Sequence, residues 1–370
     1  MSACVRARVH PSRLIESIES QLAQFLDEHL ALLTEVSEDL TMLADAARHA
    51  VLSGGKRLRP TFAYWGWRSV LPEGAPGEPE LIRAAASLEL LQACALVHDD
   101  VLDSSDIRRG QPAAHIRFGQ RHRDQAWQGS ATRFGDAAAI LLGDLLLSWS
   151  EEMFRAALAG LSAERATAAG RHFDRMRTEV VAGQFLDVLA QTRGAFDPDE
   201  ALRVVAFKTS KYTVERPLLL GAAAAGGSER LLRSLSTYGQ ALGEAFQLRD
   251  DLLGVFGDPE LTGKPAGDDL REGKRTLLVA LAAEAAGPGQ RRLIEAGVGN
   301  PGLTPDSVRQ LRAVLIDTGA RERVERRIAE QAEVAVGAIS GDSSSDISGI
   351  RPEACRALLD LVQAAAHRSF

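Results

Sequence analysis

Residues 88–110 read LELLQACALVHDDVLDSSDIRRG, an almost unbroken apolar helical stretch that ends in carboxylates and arginines. A chain that buries the first half of this stretch must deliver the second half, as concentrated charge, to one end of a core element. At helical spacing Asp99 and Asp103 lie one turn apart, Asp100 lies beside them, and Gln92 falls two turns below on the same stripe. Buried carboxylates are costly and adjacent ones repel, so such a cluster needs a cation, protons or basic partners. Magnesium suits it, because that ion prefers oxygen ligands and is commonly held by one or two carboxylates, waters and substrate phosphate oxygens. A solvated helix end has the same local pattern, so the rest of the chain has to decide.

Helical periodicity runs through nearly all of that remainder. Leu14, Ile15, Ile18, Leu22, Phe25, Leu26, Leu30 and Leu33 follow a three-and-four rhythm, and a second amphipathic segment runs to Leu52 and stops at Ser53-Gly54-Gly55. Residues 136–158, 163–191, 199–225 and 229–256 continue as helices, Pro217 kinking or breaking the third of these. Two or three more helices occupy 276–295, 305–337 and 352–367. The stretches SSDIRRGQPAAH and RHRDQAWQGSATRFG read as a polar turn and an exposed loop. Strand signals are close to absent. The expectation is a single all-α domain over 14–370, a helical bundle, preceded by a disordered segment at 1–13.

Composition narrows the function. With 45% hydrophobic and 25% charged residues the chain can bury a sizeable core. A net charge of -7 argues against nucleic acid as the main partner. Three scattered cysteines, Cys4, Cys94 and Cys355, form neither a disulfide framework nor a zinc site, which fits a reducing cytoplasm. No run reaches the 18 or so apolar residues of a membrane span, and the N-terminus lacks the apolar core of a secretory signal.

Four motifs carry chemistry: GGKRLRP at 54–60, DDVLD at 99–103 with RRG at 108–110, Lys208-Thr209, and QLRDD at 247–251 followed by Lys264 and Lys274. Two acidic helix ends with a surplus of placed Lys and Arg suit highly charged anions bridged by metal, and diphosphates are the obvious candidates. In this order the motifs resemble those of the trans-type isoprenyl diphosphate synthases, the polyprenyl synthetase family, over roughly residues 14 to 367. The resemblance implies an all-helical fold around a deep central cavity, homodimers, and condensation of isopentenyl diphosphate with an allylic diphosphate by ionisation, condensation and elimination. It implies about three magnesium ions, with Asp99 and Asp103 ligating on the allylic diphosphate and Asp250 holding the third. Arg108, Lys208 and Lys264 resemble the residues that grip the allylic diphosphate, and Lys56, Arg59, Gln92 and Arg109 those that bind isopentenyl diphosphate. Thr209 and Gln247 match positions near the reacting carbon, where polar dipoles stabilise a carbocation. Asp187 matches an acid near the metals.

One departure is plain: the second motif reads Asp250-Asp251-Leu252-Leu253-Gly254, with glycine in place of its third carboxylate; either Asp258 or Asp268 contributes through water or the site manages without one. Below Asp99 the small Cys94 and Ala95 form the next layer of the expected cavity, which implies a product beyond farnesyl diphosphate, geranylgeranyl diphosphate first. Leu91, Leu88, Met153 or Phe154 would set a deeper floor. His98 reads as a structural neighbour of the motif, Cys94 as a small buried hydrophobe, Trp65, Trp67 and Trp127 as packing anchors, and 320–332 as a solvated helix face. Terpene cyclisation shares the first motif, but no asparagine-led second motif is present. The same motifs would also serve a longer-chain or farnesyl diphosphate synthase, or a weakly active partner subunit of a heteromeric synthase.

Overall fold

A computed structural model of the protein describes residues 11–257, 267–340 and 349–366. The described chain is helical apart from one short two-stranded ribbon, as the periodicity requires, and separates into two compact units. Among the described residues, one comprises 11–64 and 73–166, the other 65–72 and those from 167 onward.

The first unit holds α1 (Pro11–Val36), α2 (Thr41–Leu52), the start of α3 (Leu58–Arg68), α4 (Glu78–Leu102), α5 (Ala114–Asp124) and α6 (Ala131–Leu158). α1 buries Ile18, Leu22 and Leu26 at four-residue spacing. It begins at Pro11. Proline already has the helical φ and lacks only an N–H that the first turn would leave unbonded. Residues 1–10 lie outside the described part. α4 is the central element: Leu81, Leu88 and Leu90 are fully buried, and Ser150 of α6 donates to the Ser87 carbonyl at 2.8 Å. By length and composition alone α4 would pass for a membrane span, yet 67% of its most apolar window is buried inside the protein.

Two expectations change in this unit. The expected loop at 121–135 is instead the end of α5, a short connection and the start of α6. His115, Phe118, Gly119 and His122 are buried at helical spacing, a face hidden in the sequence by its many arginines. Trp127 anchors the connection, its ring 5.3 Å from that of Phe134. The RRG motif is the tip of a small antiparallel ribbon, β1 (Ile107–Arg108) against β2 (Gln111–Pro112). Arg109 and Gly110 both have positive φ, 53° and 73°, as the two central residues of a type I′ turn do.

The second unit holds most of α7 (Ala163–Arg193), α8 (Pro198–Val204), a π-helix (Val205–Glu215), α9 (Arg216–Ala224), α10 (Glu229–Phe256), and then α11 (Asp268–Glu272), α12 (Leu277–Ala285), α13 (Pro288–Gly297), α14 (Pro305–Asp317), α15 (Ala320–Ile339) and α16 (Pro352–Ala366). Pro217 marks the change from π- to α-helix. The stretches 276–295 and 305–337 are each split in two, at Gly287 and at Gly319, whose φ is 70°. Leu248 and Leu252 of α10 are buried with Val324 and Ile328 of α15 in one apolar cluster. The 320–332 segment is therefore only partly a solvated face: Glu325 and Arg327 reach Arg249 and Glu244 of α10. Tyr238 donates to the Leu358 carbonyl at 2.8 Å and pins α16.

Candidate active site

In the first unit the acidic motif terminates α4. Asp103 caps the helix, its N–H bonded to the Asp99 carbonyl at 2.8 Å. Carboxylates at a helix C-terminus face the negative end of the helix dipole, so this end attracts cations. The three aspartates divide the work. Asp100 is buried and accepts from Arg108 Nε at 2.8 Å, while Arg108 Nη2 lies 3.7 Å from Asp99 Oδ2. Burial raises the Asp100 proton affinity and the Arg108 guanidinium opposes it. Asp99 and Asp103, half-buried, are the pair at the helix end.

The basic motifs meet there too. Arg109 donates to the Gly54 carbonyl and, at 3.3 Å, to Ser53 Oγ. A Cβ on Gly55 would lie 3.0 Å from Arg109 Nη2, so the absence of a side chain at 55 is what lets the guanidinium lie against the loop. Arg57, with φ 48°, turns inward: Nη1 donates to Glu89 Oε2 at 2.7 Å and Nη2 to the Val51 carbonyl at 3.1 Å. That buried anchor leaves Lys56 exposed and Arg59 half-buried. Gln92 Oε1 is buried and has no hydrogen-bond partner among the described residues. A cleft lined by His49, Ser53, Asp100, Arg108, Arg109 and Arg117 adjoins these groups.

Cys94 is buried, its Sγ 3.8 Å from His98 Nδ1, and burial pushes its thiol up to about 12, as an inert core thiol requires. His98 Nε2 lies 3.0 Å from the Ile140 carbonyl, and a Cβ on Gly143 would come within 2.7 Å of the ring, so His98 wedges α4 against α6. Met153 and Phe154 are buried; Ala95 is half-buried.

In the second unit the π-helix carries Lys208 and Thr209. Its wide turns are packed closely against two neighbours through glycines: a Cβ on Gly183 of α7 would lie 2.5 Å from Lys208 N, and one on Gly239 of α10 2.6 Å from Glu215 Cα. Lys208 Nζ pairs with Asp187 Oδ2 at 2.7 Å. Thr209 Oγ1 donates to Gln247 Oε1 at 2.7 Å, and Gln247 Nε2 donates to Asp251 Oδ1 at 2.7 Å. Burial raises Asp251 to about 7; the Gln247 bond and Lys274 oppose this, and Asp269 and Asp250 add to it. Asp250 is half-buried, and Arg249 between the two motif halves is locked to Glu325 of α15 by bonds of 2.8 and 2.7 Å. Lys274 bonds Asp269 Oδ1 at 3.1 Å and Glu272 at 2.6 Å; these carboxylates outweigh burial and hold its proton affinity above the ordinary lysine range.

Lys264 and Asp258 lie outside the described residues, as does the Asp268 side chain. The carboxylate that the structure places beside Gly254 is that of Asp269, which motif spacing does not single out. Spacing is equally silent on Arg57, Asp100 and Arg249 as anchors. Among the described residues no three His, Cys, Asp or Glu side chains converge as a ready-made metal cage. An all-oxygen donor set of few carboxylates fits an ion that takes its remaining ligands from water and substrate phosphate.

Residues 40–315 match the polyprenyl synthetase family. This chain belongs to that family. It is 34% identical to the geranylfarnesyl diphosphate synthase of Aeropyrum pernix over 286 residues, 77% of this chain and 83% of the relative. It is 33% identical to the (2E,6E)-farnesyl diphosphate synthase of Mycobacterium tuberculosis over 313 residues, 84% and 79% of the two chains. Among solved structures, the geranylgeranyl pyrophosphate synthase of Corynebacterium glutamicum, complexed with isoprenyl diphosphate and magnesium, superposes with a TM-score of 0.90 at 40% identity, covering 96% of this chain and 99% of that one.

Proposed function

We propose that this polyprenyl synthetase is a trans-prenyltransferase that condenses isopentenyl diphosphate with an allylic diphosphate, and that its product is geranylgeranyl diphosphate. The observation that carries the reading is the arrangement at the end of α4: Asp99 and Asp103 at the helix terminus, with Arg108 held beside Asp99 by the buried Asp100. This is a receiver for a metal-bound diphosphate. Asp99 and Asp103 would hold magnesium, Asp250 a further ion, three ions in all. Bound there, magnesium would neutralise charge gathering on the departing diphosphate.

The chain's own groups do the rest. Arg108 and Lys208, with Lys264, grip the allylic diphosphate, each of the first two fixed by an aspartate, Asp100 or Asp187. The Thr209–Gln247–Asp251 chain of bonds holds the Thr209 hydroxyl and Gln247 amide in one orientation, preorganised dipoles for an allylic cation. Lys56, Arg59, Gln92 and Arg109 bind isopentenyl diphosphate, the Gln92 amide N–H groups donating to diphosphate oxygens as the basic side chains do. Small residues at 94 and 95 favour a product longer than farnesyl diphosphate. Exposed apolar faces, Ile140, Leu141 and Leu147 on α6 and Val181, Phe185 and Val188 on α7, support a homodimer, which light scattering of the purified protein tests. The free thiols of Cys94 and Cys355 support a reducing, cytoplasmic location.

The deciding experiment is incubation with isopentenyl diphosphate, magnesium and each of dimethylallyl, geranyl and farnesyl diphosphate, followed by product analysis. Geranylgeranyl diphosphate is the expected product; no prenyl product from any primer overturns the reading. Asp99→Ala is expected to remove several powers of ten in turnover with an unchanged circular dichroism spectrum.

A further inference from the structure

Gly254 occupies the place of the third carboxylate in the second acidic motif, four residues after Asp250 and three after Asp251, on the same face of α10. Glycine within a helix costs about 1 kcal/mol relative to alanine, so it calls for a reason. Backbone conformation is not that reason, because Gly254 is absent from the positions with positive φ. Space is: a Cβ at 254 would overlap Asp269 Oδ2 and lie 2.8 Å from Asp269 Cγ.

We propose that Asp269 supplies the carboxylate missing from the second acidic motif, seated in the notch that Gly254 leaves on α10. Asp269 is placed by a fixed element. α11 is bracketed by Gly267 and Gly273, both with positive φ; its Leu270 is buried, and the Leu270 carbonyl accepts from Gly299 N at 2.8 Å. With Oδ2 in the notch, Asp269 Oδ1 takes Lys274 Nζ at 3.1 Å. The carboxylate thus reaches the motif from the following segment rather than from one helical turn on, and the lysine tied to it is oriented at the same time. Asp269 is a positioning residue: it acts through Lys274 and through the negative charge it adds beside Asp251 and Asp250. A side chain at 254 would have to displace the Asp269 carboxylate from this position.

This inference rests on the synthase reading, and its test separates the two. Asp269→Asn, Gly254→Asp and the double variant G254D/D269G are compared with wild type for half-saturating magnesium in the condensation reaction, for calorimetric binding of magnesium with inorganic diphosphate, and for melting temperature. Each single variant is expected to weaken magnesium dependence and magnesium binding about tenfold or more, the size of effect seen when an outer-shell partner is lost. The double variant, which moves the carboxylate onto α10, is expected to recover to within about threefold of wild type. Unchanged magnesium binding in Asp269→Asn overturns the proposal, as does a double variant weaker than both singles. Absence of product from wild type defeats the synthase reading, while calorimetry still decides the role of Asp269; absence of magnesium-dependent diphosphate binding by wild type overturns the proposal as well.

Discussion

Arg108 Nε donates to Asp100 Oδ1 at 2.8 Å, and Asp100 is 3% exposed. The middle aspartate of the first motif is therefore committed to a protein partner, and its burial makes that partner obligatory: without Arg108 the carboxylate would be a desolvated charge. Asp100→Asn keeps the shape and an acceptor but removes the charge that holds the guanidinium. A charge-assisted hydrogen bond is worth about 1.5–3 kcal/mol, so kcat/KM for the allylic substrate is expected to fall about ten- to a hundredfold. The loss should sit mainly in the allylic KM, with the KM for isopentenyl diphosphate little changed. Steady-state kinetics with each substrate varied in turn checks this, and equal effects on both KM values would contradict it.

The helices, and the two acidic helix ends, are legible in the sequence because apolar spacing and carboxylate spacing both follow the helical period. Gln247 and Thr209 stand out as separate positions, and the structure joins them through one hydrogen bond of 2.7 Å. What the sequence conceals has particular causes. The face of α5 is masked because arginines and histidines flank Phe118, although the buried spacing is helical. Lys208-Thr209 gives no sign of a π-helix, because the wide turn is set by glycines on α7 and α10, far away in sequence. Asp269 stays hidden because its link to Gly254 is steric, and spacing along the chain does not encode it. Arg57 has no role that the GGKRLRP spacing singles out, and only its positive φ and its bond to Glu89 show that it points inward as an anchor.

Gly183 supports the π-helix by having no side chain. A methyl there would meet backbone, Lys208 N at 2.5 Å and Phe207 C at 2.7 Å, and backbone yields far less readily than a side-chain tip. Gly183→Ala is expected to cost about 1–3 kcal/mol, the usual range for overpacking, and to lower the melting temperature by several degrees. Activity should fall as well, because the residue that moves carries Lys208. Gly170 is the control on the same helix: nothing lies within 4 Å of its added Cβ, so Gly170→Ala should leave activity alone and leave stability unchanged or raised. Thermal denaturation and turnover of the two variants, side by side, check this.

His172 gives the second unit a pH dependence. Burial first, then the positive charges of Arg216, Arg171 and Arg175, lower it to about 4 against the attraction of Glu179. The folded state thus holds the imidazole neutral, while the unfolded chain takes up a proton near its ordinary value of about 6.5. Between those limits the unfolded state binds more protons, so this contribution is complete above about 6.5 and is lost as the pH falls towards 4. After allowance for partial solvent screening it amounts to about 1–2 kcal/mol. Urea midpoints measured from pH 7 to pH 4.5 should fall less steeply for His172→Gln than for wild type, and parallel curves would remove His172 as the cause.

Product length turns on which of the two small residues below Asp99 faces the growing chain. Cys94 is already engaged, its Sγ 3.8 Å from His98 on the side that packs against α6, and it is 5% exposed. Ala95 is half-buried and one turn below Asp99, so a large side chain there is the stronger block. Ala95→Phe adds a ring of more carbons than one five-carbon unit, and elongation should stop earlier, at farnesyl diphosphate or shorter. Cys94→Ala, which removes a single atom from a packed core position, should leave the product unchanged while costing some stability. Chromatography of the dephosphorylated products from isopentenyl and dimethylallyl diphosphates separates the outcomes: a shift with Ala95→Phe alone assigns the limit to position 95. An unchanged length with Ala95→Phe moves the limit away from this layer of α4.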